Sequence, residues 1–112
     1  MKREHRLKKR AAFTYVYKRG KKTSTRHLLL LCATSGEGLK IGLSVSKKVG
    51  NAVTRNRVKR LLREGILPLE SRIDPAFLYV IVARPSAAEL GYAEMCAETE
   101  ALFTRAGRLA EA

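Results

Sequence analysis

Residues 52–66, AVTRNRVKRLLREGI, leave this chain few choices of fold. Placed on a helix at about 100° per residue, Val58, Leu61, Leu62, Gly65 and Ile66 gather on one side. Asn56, Lys59, Arg60 and Arg63 gather on the other, and Arg55 and Arg57 border the cationic arc. A helix with one apolar stripe is stable only when that stripe is buried against another layer. The rest of the sequence must therefore supply a sheet or further helices, and leave the cationic side free.

The sheet is legible in three segments. HLLLLCAT at 27–34 is a continuous apolar run of strand length. LKIGLSVS at 39–46 alternates, with Ile41, Leu43 and Val45 on one face and Gly42, Ser44 and Ser46 on the other. SGEG at 35–38 is a turn signal, so the two segments are expected to pair as a β-hairpin. FLYVIVAR at 77–84, bounded by Asp74-Pro75 and Pro85, predicts a central strand.

Helices flank these strands. Residues 8–18 predict a short helix carrying Phe13, Val16 and Tyr17 at i, i+3 and i+4, with Gly20 as its stop. Residues 20–27 are expected to be a polar connector. Ser86 and Glu89 have the spacing of a capping box. A last helix over 92–107 carries a stripe of Tyr92, Met95, Cys96, Thr99, Leu102, Phe103 and Ala106, expected to pack on the sheet. The expected architecture is an α+β sandwich with one sheet layer, as a single domain over residues 1–112.

Charge then narrows the function. The 112 residues carry a net +13 with 46% hydrophobic residues, enough for one modest core. Residues 1–63 hold 19 Lys and Arg against two acids, a net +17, whereas residues 64–112 hold four against eight, a net −4. A small chain so basic in one half is suited to a polyanion. On the 52–66 helix the like-charge pairs Arg55–Lys59 and Lys59–Arg63 oppose helix stability, and Arg55 and Arg57 sit at the wrong end of the macrodipole. Phosphates from a bound partner would supply the missing negative charge. Phe13 and Tyr17, among Lys8, Lys9, Arg10, Lys18 and Arg19, suit the stacking of single-stranded bases, although core packing accounts for them as well.

Other classes find less support. No protein-only catalytic motif is present, and His5 and His27 are expected to be ordinary surface histidines. Cys32 and Cys96 are expected to be buried reduced thiols. MKREHRLKKR lacks the apolar region of a signal peptide, and the longest apolar runs are too short to span a bilayer. The expected location is cytoplasmic. A ribosomal protein, a nuclease using His5 or His27, and a DNA-compacting protein are the alternative readings.

GLSVSKKVGNAVTRNRVKRLLRE at 42–64 resembles the protein subunit of bacterial ribonuclease P, whose R-N-R signature appears as Arg55, Asn56 and Arg57. RLKKRAAFTYVYKRGKK at 6–22 and YVIVARP at 79–85 extend the resemblance. It implies a fold like ribosomal protein S5 domain 2, with a left-handed βαβ crossover in place of the usual right-handed one. It also implies a protein that does not cut. A catalytic RNA, working with Mg²⁺, removes the 5′ leader of precursor tRNA, and the protein itself holds no cofactor or metal. By resemblance, Phe13, Tyr17, Lys48, Arg55, Asn56 and Arg84 would serve the leader groove, and Lys47, Arg57, Lys59 and Arg60 the catalytic RNA. On this basis Arg57→Ala is expected to weaken RNA assembly more than folding. Leu31 stands where the family often has an aromatic, so base stacking there is expected to be weaker.

Overall fold

The computed structural model describes residues 1–111. In chain order it contains a 3₁₀ turn (Arg3–His5), α1 (Arg10–Arg19), β1 (Lys21–Ser24), β2 (Leu28–Thr34), β3 (Lys40–Ser44) and α2 (Ala52–Ile66). A 3₁₀ segment (Leu67–Arg72), β4 (Phe77–Ala83), another 3₁₀ segment (Pro85–Glu89) and α3 (Tyr92–Arg105) complete it. The strands form one mixed sheet in the order β1-β2-β4-β3. β2 is antiparallel to both β1 and β4, and β3 runs parallel to β4.

Strand alternation divides the core between two faces. Leu31 and Ala33 of β2 and Leu78 and Val80 of β4 pack with Val16 of α1. Leu28, Leu30, Ile41, Tyr79 and Ile81 pack on the opposite face with residues of α2 and α3. β4 is covered on both sides, which is why its sequence is an uninterrupted apolar run. The result is the α+β sandwich expected from sequence, one sheet between α1 and the α2–α3 pair.

α2 follows the sequence reading closely. Asn51 caps it, its side chain accepting from the Thr54 N–H at 3.0 Å. Its buried residues are Val58, Leu61, Leu62, Gly65 and Ile66, the predicted stripe. Gly65 lets α3 come close: a Cβ there would lie 3.1 Å from Thr99 Oγ1 and 3.4 Å from Cys96 Cα.

Four expectations change. The segments 27–34 and 39–46 do not form a hairpin, because β4 inserts between β2 and β3. A parallel β3–β4 pair needs a long crossover, and α2 provides it. The polar connector contains β1, whose residues Lys21–Ser24 pair with Leu29–Cys32. Ser86 caps nothing; its Oγ lies 2.7 Å from His27 Nδ1, and Glu94 instead accepts from the Gly91 N–H at 3.0 Å to start α3. Cys32 is buried, but Cys96 is only half-buried, and both are free thiols.

Candidate nucleic-acid interface

One row of the sheet is left open beside α1. Ser24 pairs with Leu29, Leu29 with Val82, and Val82 with Ser44. These four residues lie on the α1 face, two positions from the buried row of Leu31, Val80 and Gly42. None of the four is fully buried. A row four strands wide spans roughly 15 Å.

The two flanks of α1 are not equivalent. Tyr15 donates its hydroxyl to the Thr34 carbonyl at 2.8 Å, which fixes one flank toward the Thr34 end of β2. Phe13 and Tyr17 lie about 160° away around the helix and so face the opposite way, toward the open row. Tyr17 is 47% exposed. Phe13 is half-buried, its ring packed where Gly42 lacks a side chain. So one aromatic is exposed, and the other is partly built into the wall.

Cations reach the same end of the sheet by topology. β3 and β4 run parallel with Ser44 beside Val82, so their C-terminal ends leave the sheet together. Lys47 and Lys48 follow β3 in an exposed turn, and exposed Arg84 follows β4. α2 starts a few residues later, bringing half-buried Arg55 and exposed Asn56. Its exposed Arg60 continues the cationic side along the helix.

Two residues assigned to the catalytic RNA sit differently from the simple expectation. The half-buried Arg57 guanidinium donates to the carbonyls of Ala88 at 3.1 Å and Leu90 at 2.8 Å. It ties α2 to the Pro85–Glu89 turn, so it has a structural task. Lys59 lines a cleft with Phe13, Arg6, Lys8 and Arg63, next to an aromatic assigned to the leader.

The electrostatics favour an external anion. Among the described residues the ion pairs involve the terminal ammonium, His5 and His27, and none involves a Lys or Arg. Both histidines are occupied within the fold. His5 Nδ1 is 2.5 Å from Glu70 Oε2, and His27 bonds Ser86. Glu70 is buried, which opposes its ionisation. Hydrogen bonds from His5, the Lys2 N–H and the Met1 ammonium outweigh this and hold its carboxyl below the usual value. Glu98 accepts from Thr25 Oγ1 and the His27 N–H at 2.8 and 2.7 Å, so it too serves the fold.

Sequence reasoning missed Leu29 and Val82, which line the row that remains open. It pointed instead to Leu31, which is 1% exposed and lies under α1. Only the register reveals this, because HLLLLC offers four successive leucines without marking which lies outside the shelter of α1.

Comparison with known proteins bears on the family and the fold. Residues 1–107 match the family model described as Ribonuclease P. A ribonuclease P protein component of Bacillus cereus is 42% identical over 109 residues, covering 96% of this chain and 95% of that protein. The Staphylococcus aureus RNase P protein superposes with a TM-score of 0.87 at 32% identity, covering 94% of this chain and 97% of that one. The Thermotoga maritima RNase P protein gives a TM-score of 0.80 at 25% identity, covering 89% and 96%. Among the described residues no helix is long and apolar enough to cross a membrane. With its fold and nearly its whole length matched by these proteins, the chain belongs to the ribonuclease P protein family.

Proposed function

We propose that this chain is the RNA-binding subunit of a ribonuclease P ribonucleoprotein, and that it assists a catalytic RNA in removing the 5′ leader from precursor tRNA. The observation that carries this reading is the open row Ser24–Leu29–Val82–Ser44. Phe13 and Tyr17 flank it, and Lys47, Lys48, Arg55 and Arg84 lie at its end. A strand of RNA laid there meets an apolar floor, aromatic edges for stacking and cations for its phosphates. Stacking tolerates any base, which suits leaders of varied sequence.

In this reading the protein contributes binding and not bond cleavage. The cutting chemistry and its Mg²⁺ belong to the RNA subunit. The cationic side of α2, with Lys59 and Arg60, meets that RNA, while the groove, with Asn56 near its end, holds the leader. Arg57 holds the α2 scaffold and offers its remaining donors to either RNA.

The test is affinity of the protein–RNA complex for precursor and mature tRNA as the leader is lengthened one nucleotide at a time. Preference for the precursor should grow until the groove is filled and then level off. Equal affinity at every leader length would contradict the assignment.

A further inference from the structure

The open row has two unlike ends. It crosses the sheet from Ser44 on β3, through Val82 and Leu29, to Ser24 on β1. α1 crosses in the same direction. Its Phe13 ring packs on Gly42 of β3, a Cβ on Gly20 after its last turn would lie 3.3 Å from Leu31 Cβ of β2, and the chain then enters β1. At β3 the row meets other elements. The N-terminal segment covers that edge, with the Leu7 N–H bonded to the Ile41 carbonyl at 3.0 Å, and Lys59 of α2 shares a cleft with Phe13 and Leu43. At β1 the sheet ends, and among the described residues no strand pairs with its outer side.

Cations gather at this open end. Residues 64–112 hold only four, Arg72, Arg84, Arg105 and Arg108. Arg72 Nε donates to the Ala110 carbonyl at 2.9 Å, and the Arg108 guanidinium lies 4.0 Å over the Phe77 ring. The other two are exposed, and both stand at the row. Arg84 follows β4 just past Val82. Arg105 belongs to α3, on the far face of the sheet, yet it reaches round the edge to donate to the Ser24 carbonyl at 2.7 Å. A cation in the last turn of a helix favours the helix dipole wherever it points. The bond to Ser24 does more, since it fixes the guanidinium at the mouth of the row with its other donors free.

Two further cations lie beside it. Exposed Lys22 pairs with Leu31, so it shares the α1 face and continues the wall beyond Tyr17. Arg26 is exposed in the turn that follows β1. The nearby carboxylate, Glu98, accepts from Thr25 Oγ1 and the His27 N–H and is committed to the turn. Among the described residues none of the three cations joins an ion pair.

We infer that Lys22, Arg26 and Arg105 form a second RNA site, an exit at the β1 edge that holds the phosphates of the 5′-distal part of the leader. This exit rests on the leader reading above and extends it. α2, which meets the catalytic RNA in that reading, stands at the β3 end, so the cleavage site lies there and the leader's 5′ end points toward β1. At about 3.4 Å per stacked nucleotide, a row of roughly 15 Å takes about four nucleotides, and the next phosphates arrive at the three cations. Contacts to phosphate carry no sequence information, so the site responds to leader length and not to leader sequence.

The test uses the protein assembled with a bacterial ribonuclease P RNA, and precursor tRNAs with leaders of about two to ten nucleotides. Lys22→Gln, Arg105→Gln and the double variant are compared with wild type and with Lys40→Gln, a charge loss at the opposite edge of the sheet. The shortest leaders should bind equally to all of them. With leaders of about eight nucleotides each single variant should bind about threefold more weakly, and the double variant more weakly still, while Lys40→Gln matches wild type. The slope of log K against log salt should fall by about 0.7 per cation removed, for long leaders only. Arg105→Gln also loses the bond to Ser24, so the result with Lys22→Gln is decisive. A 4-thiouridine about seven nucleotides from the cleavage site should crosslink within residues 21–26.

Wild-type affinity that ignores leader length would overturn the leader reading, and the exit with it. Length dependence in wild type, with variant losses that are absent or equal at every length, would leave that reading standing and overturn the exit. Crosslinks from the distal position to α2 alone would overturn it as well.

Discussion

Phe13 occupies the space that Gly42 leaves empty: a Cβ at residue 42 would lie 2.5 Å from ring carbon Cε1 and 3.3 Å from Leu7 Cβ. The pair joins α1 to β3 and sets the wall of the groove. Gly42→Ala must push the ring outward or shift the helix. It should destabilise the protein by about 1–3 kcal/mol in urea unfolding. Precursor tRNA affinity should fall with it, and Gly42→Val should be worse. Unchanged stability in Gly42→Ala would mean that α1 is not held at this point.

Tyr17 is the exposed aromatic of the pair. Tyr17→Ala should weaken precursor tRNA binding by about 1–3 kcal/mol, the worth of one stacked base, while leaving mature tRNA unaffected. Tyr17→Phe should retain most of the affinity. Parallel titrations of the two tRNAs decide it, and an equal loss for both would place Tyr17 outside the leader path.

Arg57 carries a prediction opposite to the one its sequence context invites. Its two bonds to Ala88 and Leu90 hold the Pro85–Glu89 turn against α2. Arg57→Ala should cost about 1–3 kcal/mol of stability, because hydrogen bonds from a charged donor are among the stronger ones. Arg57→Lys should restore only part, as one ammonium cannot reproduce the fork. Urea unfolding of the free protein separates this from any RNA effect; wild-type stability in Arg57→Ala would show that the two bonds contribute little.

Glu70 gives the fold an acid-sensitive point. Its folded-state pKa lies below its ordinary value of 4.5. The stabilisation from its ionised form is therefore complete above that value and is lost as pH falls below it toward the folded pKa. Wild type should lose stability through this window. Glu70→Gln should be less stable at neutral pH and show a flatter acid limb. Superimposable pH profiles would remove Glu70 from this role.

The legible parts of the fold were those whose pattern is local. The α2 stripe of Val58, Leu61, Leu62, Gly65 and Ile66 follows from helical periodicity, and burial matches it residue for residue. The continuous run at 77–83 marked a strand covered on both faces. What stayed hidden depends on partners distant in sequence. β1 is a four-residue edge strand bearing Lys21 and Lys22, the charges that keep edges from pairing wrongly, and so it resembles a loop. The SGEG turn suggested a hairpin because nothing between residues 34 and 40 reveals that β4 will fill the gap. For the candidate site, Phe13, Tyr17 and the basic side of α2 could be named from sequence. Leu29 and Val82 could not, since only the strand register brings them together.

The central claim is that this protein works on precursor tRNA only in company with a catalytic RNA. The most direct measurement is cleavage of precursor tRNA at low Mg²⁺ by the protein alone, by a bacterial ribonuclease P RNA alone, and by the two together. The account predicts efficient cleavage at the mature 5′ end only in the mixture, and none by the protein alone. A mixture no better than the RNA alone, or cleavage by the protein without RNA, would contradict it.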